Sequence, residues 1–453
     1  MRKKRLIAGG VAVVLAAGIT SVTLTARAGT QRKAAAAKPA LSAVLKSKMD
    51  ALAFQQVLDL RPGNTGSKLA ASAAKPISQQ PQLDATVLEL DAKGAITRSA
   101  TVLMSPQYPH GVVVPVDKNH HTTGVRWRQW DDTGWYKNRG KGTVDIVPGR
   151  TKAKLDFMSP YPASVLKLMV NFGVLRLVDQ KKIKLTDKYS YKPTETAALC
   201  GGASSAKIGD YLDKSLTESS NAATCALVKM LWDRKAIDKL NKDFQDLGLE
   251  TLQLKNSNPA NGGRWGNPIT MTSLDTAKLL AIVNGGAGTL WKTPAGKAVT
   301  KSVLSDASRK VFMTKLGEQG WNWTLSTANF CGRKYPAAGI PQKVATRWVG
   351  TDGKVTVAGS KFGQDVRPCN TKAEVTYAHK PGWVGNSAND AGIVKSLPGK
   401  KGRHYIVAVF SNLGDQYQDK GRPATPSGTV AVQHTQKLAQ LGAAIDAFEA
   451  SRS

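Results

Sequence analysis

Three short segments of this chain carry side chains suited to acyl transfer, and they occur in a fixed order: Ser164-Val165-Leu166-Lys167, Ser219-Ser220-Asn221 and Lys380-Pro381-Gly382. A serine followed three residues later by a lysine places both side chains on one face of a helical turn, where the amine reaches the hydroxyl. A serine hydroxyl is a poor nucleophile until a base takes its proton, so Lys167 acts only when uncharged. Burial, with Lys380 as a second ammonium nearby, would lower its pKa enough. Ser219 is the candidate to relay a proton to the leaving group, and Asn221 to hydrogen-bond a substrate amide. The backbone N–H groups of Ser164 and Trp383 form the candidate oxyanion hole, and Gly382 lets a substrate backbone come close. Ser72 and Ser204 also precede a lysine by three residues but lack such surroundings.

The elements that must hold these residues are legible from hydrophobic spacing. Ser164 opens the apolar run Val165, Leu166, Leu168, Met169 and Val170, which reads as a buried helix with the serine at its N-terminal edge. Helical patterns continue with Asp210 to Leu216, Ala222 to Trp232 and Leu274 to Val283. Strand patterns lie on either side: Ala85 to Leu90 and Ile96 to Met104 as a hairpin, Gly124 to Trp130 with Gly142 to Val147, then Val375 to Trp383, Asp390 to Leu397 and His404 to Asn412 as a meander. Helices are expected from Leu41 to about Leu60 and from Thr429 to Phe448. Strands at both ends with helices between them argue for an α+β protein: an antiparallel sheet completed by the two termini, covered by helices, beside a helical lobe. A cleft between sheet and lobe is the natural site. The expected boundaries are a linker and N-terminal helix over 29–82 and a catalytic domain over 83–449. Within the latter the helical lobe spans about 168–300, and an extra flap about 321–369.

The first 28 residues read as an export signal. Arg2 to Arg5 form a basic start, an apolar stretch follows, and Ala26-Arg27-Ala28 is a small-residue cleavage site; an uncleaved anchor is the alternative. Four cysteines in an exported chain suggest disulfides. Of three possible pairings, Cys200 with Cys225 and Cys331 with Cys369 keep each pair close in sequence. No Cys-x-x-Cys or His-Glu-x-x-His is present, so neither a metal nor another cofactor is expected. Lys and Arg number 64 against 32 Asp and Glu, a charge that favours anionic cell-wall polymers as partners. The lysines are scattered and no nucleic-acid-binding motif is visible, so nucleic acid is not an expected partner. No later apolar run approaches about 18 residues, so no integral membrane domain is expected once the signal is removed.

The three segments, in this order, resemble the signatures of the serine β-lactamase and penicillin-binding-protein superfamily, namely Ser-x-x-Lys, Ser-Asp-Asn and Lys-Thr-Gly. The stretches Val178-Asp179 to Thr186-Asp187 and Asn389-Asp390-Ala391-Gly392-Ile393 are also similar to class A-like members, and the likeness spans Val125 to Phe448. It implies a β-lactamase/transpeptidase-like fold with Ser164 as nucleophile, Lys167 as base, Ser219 as proton shuttle, Asn221 as substrate contact and Lys380 as anchor for a substrate carboxylate. Pro381 departs from the pattern by removing a hydroxyl and a backbone N–H. One lost hydrogen bond to a charged group costs about 1.5–3 kcal/mol. The loop from Thr251 to Leu274, where a class A β-lactamase carries the glutamate that prepares deacylating water, contains no Asp or Glu; Glu250 and Asp275 flank it. The expectation is an exported serine hydrolase forming a covalent acyl-serine on a cell-wall peptide, related amide or ester, or β-lactam. A true β-lactamase and a non-catalytic envelope penicillin-binding protein are the alternatives. The flap, with Asp352-Gly353 read as a hairpin turn, supplies Trp321, Trp323 and Trp348 as candidates for stacking on substrate or for a small core.

Overall fold

The computed structural model describes residues 40–59, 75–76, 81–131, 143–266, 268–333, 336–414 and 434–452. The expected signal at 1–28 and most of the linker lie outside the described residues, as does the expected start of the last helix at Thr429. Six antiparallel strands form the central sheet: β1 (Leu83–Leu90), β2 (Ile96–Ser105), β3 (Tyr108–Val113), β4 (Val375–Val384), β5 (Ser387–Ser396) and β6 (His404–Ser411). Their spatial order is β4-β5-β6-β1-β2-β3, so the two ends of the chain meet where β6 pairs with β1, with Val407 opposite Val87.

Strand alternation divides the apolar residues between two cores. Leu83, Ala85, Val87, Tyr405, Val407 and Val409 face one side. There they meet Leu41, Leu45 and Met49 of helix α1 (Leu41–Ala51) and Leu438, Leu441 and Ile445 of a C-terminal helix (His434–Ala450). Leu88, Ile406, Ala408 and Phe410 face the other side and join the large core of the helical lobe. That lobe contains α2 (Lys167–Asp179), α3 (Ile208–Thr217), α4 (Asn221–Asp233), α5 (Ile237–Asp246), α6 (Ser273–Asn284) and α7 (Asp306–Gly317); the C-terminal helix is α8. The start of α6 docks onto the middle of the sheet, where the Ser273 N–H donates to Asp84 Oδ2 at 2.7 Å and the Ser273 hydroxyl bonds Thr86. Burial pushes the Asp84 carboxyl up to about 7. On the opposite face Arg403 donates to both Asp446 oxygens at 2.9 Å, tying α8 to β6.

Several elements differ from the sequence reading. The first helix stops at Ala51 because Ala53 takes a left-handed conformation (φ 48°) and a short 3₁₀ turn follows. Of the expected strands at 124–130 and 142–147, the first forms as Val125–Arg128, and the described part of the second, 143–147, is not a strand but touches it only locally. Val125–Arg128 pairs in parallel with Leu155–Met158, and Asp145 makes a single bridge to Arg128. In the flap the hairpin joins Lys354–Val357 to Ser360–Asp365 and turns at Ala358-Gly359, both with positive φ, so Asp352-Gly353 precedes the hairpin. Helix α5 falls in the stretch expected to be helical but was not among its clearest patterns, and α7 was not anticipated: α5 carries only three buried residues, Ile237, Leu240 and Phe244, on a polar background.

Both disulfides form as paired in the sequence analysis. Cys200–Cys225 ties the loop before α3 to α4, and Cys331–Cys369 closes the flap around a small core of Val344, Val355, Val357, Phe362 and Val366. Arg347 fastens the flap to the lobe with a fork onto Asp213, both bonds 2.9 Å, and a bond to Glu318. At the flap's root Gly442 of α8 lies against the backbone of Leu325, whose carbonyl accepts the Ile340 N–H. A Cβ there would come within 2.2 Å of that carbonyl oxygen. Gly442→Val should therefore lower stability by about 1–3 kcal/mol, the usual cost of overpacking, read as a lower denaturation midpoint.

Candidate active site

The end of the 3₁₀ turn Ala163–Leu166 runs directly into α2, so Ser164 and Lys167 occupy adjacent turns of one helical stretch. Lys167 is completely buried, and its Nζ lies 3.0 Å from Ser164 Oγ, 3.0 Å from Ser219 Oγ and 2.8 Å from Asn221 Oδ1, and also meets the Ser219 carbonyl. Lys380, also fully buried, reaches Ser219 Oγ from the sheet side at 3.0 Å and bonds the Pro381 carbonyl at 2.8 Å. The structure thus gathers all three motifs around one hydroxyl, that of Ser219, which lies between two amines.

Burial first, then the neighbouring Lys380 charge, holds Lys167 well below the ordinary lysine range. Burial brings Lys380 down to about 7, with Asp390 pulling the other way. An uncharged Lys167 has two N–H donors and one lone pair. The Ser219 carbonyl and Asn221 Oδ1 can only accept, so they take both donors and leave the lone pair for a hydroxyl proton. That is the protonation state in which Ser164 can be activated.

Backbone and packing hold this cluster in place. Ala163, just before Ser164, and Ser219 itself have positive φ (47° and 57°), uncommon and strained for residues with side chains. Ser220, rather than Ser219 or Asn221, caps α4, its hydroxyl accepting the Ala223 N–H at 3.2 Å. This frees Ser219 and Asn221 for Lys167. A buried polar chain runs beneath: Asn171 Nδ2 donates to the Lys167 carbonyl and to Ser215 Oγ, Ser215 bonds Thr224, and Thr224 donates to the Ser220 carbonyl. It joins the lysine's helix to the Ser219 loop. Ahead of the nucleophile, the Tyr161 carbonyl accepts from Ser387 Oγ and Asn389 Nδ2 of β5. The signal for Asn171 was present in sequence, as a polar residue four positions after Lys167 on the same face of an apolar helix.

Gly382 fulfils its expected need for closeness, but toward a different partner. A Cβ there would lie 2.7 Å from Pro162 O and from the N atoms of Ser164 and Val165, so its missing side chain admits the nucleophile's own turn. Trp383 follows on this edge strand and is 38% exposed. It borders two clefts that share Ser164. One, of about 320 Å³, is lined by Tyr161, Ala198, Leu199, Asn221, Arg264, Trp265 and Val384; the other, of about 200 Å³, by Glu218, Ser219, Trp321, Trp323 and Pro381. Trp321 and Trp323 of the flap therefore line the same cleft as Ser164. Trp348 instead packs against the flap core, donating to the Glu318 carbonyl beneath Arg347.

The carboxylates flanking the Thr251–Leu274 loop are engaged elsewhere. Glu250 accepts from Arg150 at 3.0 Å and Asp275 accepts from the N–H and hydroxyl of Thr251. Both line a separate cavity with His120 and His121. Among the described residues no cluster of three or more His, Cys, Asp or Glu could hold a metal.

A serine and lysine on the first helix of a lobe, a second serine on a loop of that lobe and a second lysine on the edge strand of an antiparallel sheet define a β-lactamase/transpeptidase-like architecture. Residues 158–322 match the family model described as "Beta-lactamase enzyme family", a segment that contains the first two motifs. The match to that family covers this segment of the chain, about a third of its length. Among solved structures it is similar to PBP-A, at 17% identity over 91% of this chain and 98% of that one with a TM-score of 0.46. It is also similar to a β-lactamase from Sphaerobacter thermophilus, at 15% identity over 89% and 95% with a TM-score of 0.42. No curated protein matches the chain.

Two outcomes follow from this geometry. Gly382→Ala should displace the Ser164 turn and slow acylation by about 100-fold, the usual effect of a misplacement near 1 Å, with the circular dichroism spectrum unchanged. Lys380 titrates below its unfolded value of about 10.4, so the native state binds fewer protons and its stability rises with pH between about 7 and that value. Lys380→Met should therefore raise the thermal midpoint at pH 6 and lose that advantage near pH 10, as scanning calorimetry across pH would read.

Proposed function

We propose that the protein is an exported serine hydrolase acting through a covalent acyl-serine at Ser164, on a cell-wall peptide or a related amide or ester. The observation that supports this most directly is the buried Lys167 amine 3.0 Å from Ser164 Oγ, with its pKa driven down by burial and by Lys380. In this reading Lys167 takes the Ser164 proton as Oγ attacks the carbonyl carbon. The N–H groups of Ser164 and Trp383 stabilise the oxyanion. Ser219, held between Lys167 and Lys380, passes a proton to the leaving atom, and Asn221 meets the acyl portion. The export reading draws on the signal-like first 28 residues and on two disulfides, bonds typical of oxidising compartments. Among the described residues no helix is long and apolar enough to cross a membrane.

Deacylation of a bulky adduct should be slow. Neither Glu250 nor Asp275 faces the clefts at Ser164; the intervening loop offers amides such as Asn256, Asn258 and Asn261 and no carboxylate, and the one acid lining either cleft, Glu218, sits on the Ser219 side, away from the loop where class A enzymes hold their water base. An amide is no general base. Intact-mass measurement of the full chain with benzylpenicillin should show an adduct that persists, is absent in Ser164→Ala, and forms about 10²- to 10⁴-fold more slowly in Lys167→Ala. Rapid drug consumption would instead make it a β-lactamase with another water base. If wild-type protein forms no adduct and cleaves no ester, the catalytic reading is wrong and a non-catalytic binding protein takes its place.

A further inference from the structure

The cleft on the Ser219 side of the nucleophile has a chemistry at odds with carboxylate recognition. A proton donor must face the atom it protonates, so on the reading above, the leaving group enters the cleft lined by Ser219, Trp321, Trp323, Pro381 and Trp383. No lysine or arginine lines it; its one charged residue is the acid Glu218. The nearest cation, Lys380, is fully buried and spends its donors on Ser219 Oγ and the Pro381 carbonyl. Pro381 brings neither hydroxyl nor N–H. An anion here would surrender its water shell with no cation in the lining to replace it.

What the cleft does present is a wall of three indoles. Trp321 and Trp323 lie 4.8 Å apart, centroid to centroid, and Trp383 meets Trp323 edge-on at 4.7 Å. The Trp321 ring is fixed by its Nε1–H donating to the Glu218 carbonyl at 2.7 Å, and the Cys331–Cys369 disulfide closes the flap that carries two of the three. A rigid apolar wall of this kind binds flat rings with little loss of conformational freedom.

We infer that the site takes acyl donors whose leaving group is a flat, apolar, carboxylate-free alcohol or amine seated against Trp321, Trp323 and Trp383. This rests on the proposed acyl transfer at Ser164 and narrows its substrate class to esters and amides that do not release a free amino acid; benzylpenicillin, whose leaving nitrogen neighbours a carboxylate, should then acylate Ser164 slowly. The bond formed is Ser164 Oγ to the acyl carbon. The bond broken is acyl carbon to the leaving oxygen or nitrogen, which departs with the proton relayed by Ser219, and water later restores the free serine.

The test is a matched pair, phenyl acetate and its ring 3-carboxylate, each rate divided by that ester's hydroxide-catalysed rate, in 0.15 M salt to screen the chain's strong positive charge, which would otherwise attract the anionic member. The neutral ester should show kcat/KM at least about tenfold higher, in line with an aromatic contact. Trp323→Ala should lower the neutral ester's kcat/KM by about tenfold and shrink its advantage over the carboxylate ester. Trp323→Phe, which keeps an aromatic face, should restore most of the preference. Equal rates, or a faster carboxylate ester, with Ser164→Ala inactive, overturn the inference while leaving acyl transfer intact. Hydrolysis that survives in Ser164→Ala, or the absence of any hydrolysis, overturns the acyl-transfer reading itself.

Discussion

One amine taken wholly out of water governs this structure. Lys167 has no water to solvate a positive charge and faces a second buried amine, so the fold favours its neutral form. Everything around it serves that state. The apolar run of α2 buries it, two pure acceptors occupy its donors, and the strained Ser219 backbone brings a hydroxyl between both lysines. Such an arrangement lowers stability locally, because two lysines give up hydration with no carboxylate paired to either amine. The two cores flanking the sheet offset the cost.

The corners of this cluster come from elements with separate origins. Ser164 and Lys167 ride on α2, Ser219 and Asn221 on the approach to α4, and Lys380 on an edge strand of the sheet. Their precision depends on ties that are not themselves reactive: the chain Asn171–Ser215–Thr224–Ser220 within the lobe, and the Tyr161 carbonyl bonded by Ser387 and Asn389 between lobe and sheet. The closeness of Gly382 to the Ser164 turn adds a steric tie. The flap completes the entrance, held by its own disulfide and by the fork from Arg347 to Asp213.

Much of this was legible in the sequence, for physical reasons. The sheet strands and the helices at Asp210, Ala222 and Leu274 have strong hydrophobic periodicity, and the structure extends them by only a residue or two at most ends. The three motifs announce their chemistry through residue type and spacing. Less visible was anything decided by contacts distant in sequence. The parallel pairing of Val125–Arg128 with Leu155–Met158 is one case, since four-residue strands carry no register signal. Helix α5 is another, because its few apolar residues were lost among charges. The different fates of Trp321, Trp323 and Trp348 could not be read locally either, as each is a tryptophan in the same insertion and only the folded flap separates wall from core.

The seam where β6 lies beside β1 has a consequence for how the molecule assembles. The first three strands come early, yet the partner on the other edge of β1 comes more than 300 residues later, as the pairing of Thr86 with Ala408 requires. Loop closure over so long a span makes sheet completion a late step. Lys380 arrives on the same late segment, so a chain whose last strands have not yet docked holds Ser164 without its full set of neighbours. The cluster of two lysines around the Ser219 hydroxyl is therefore complete only once the last strands have joined the sheet.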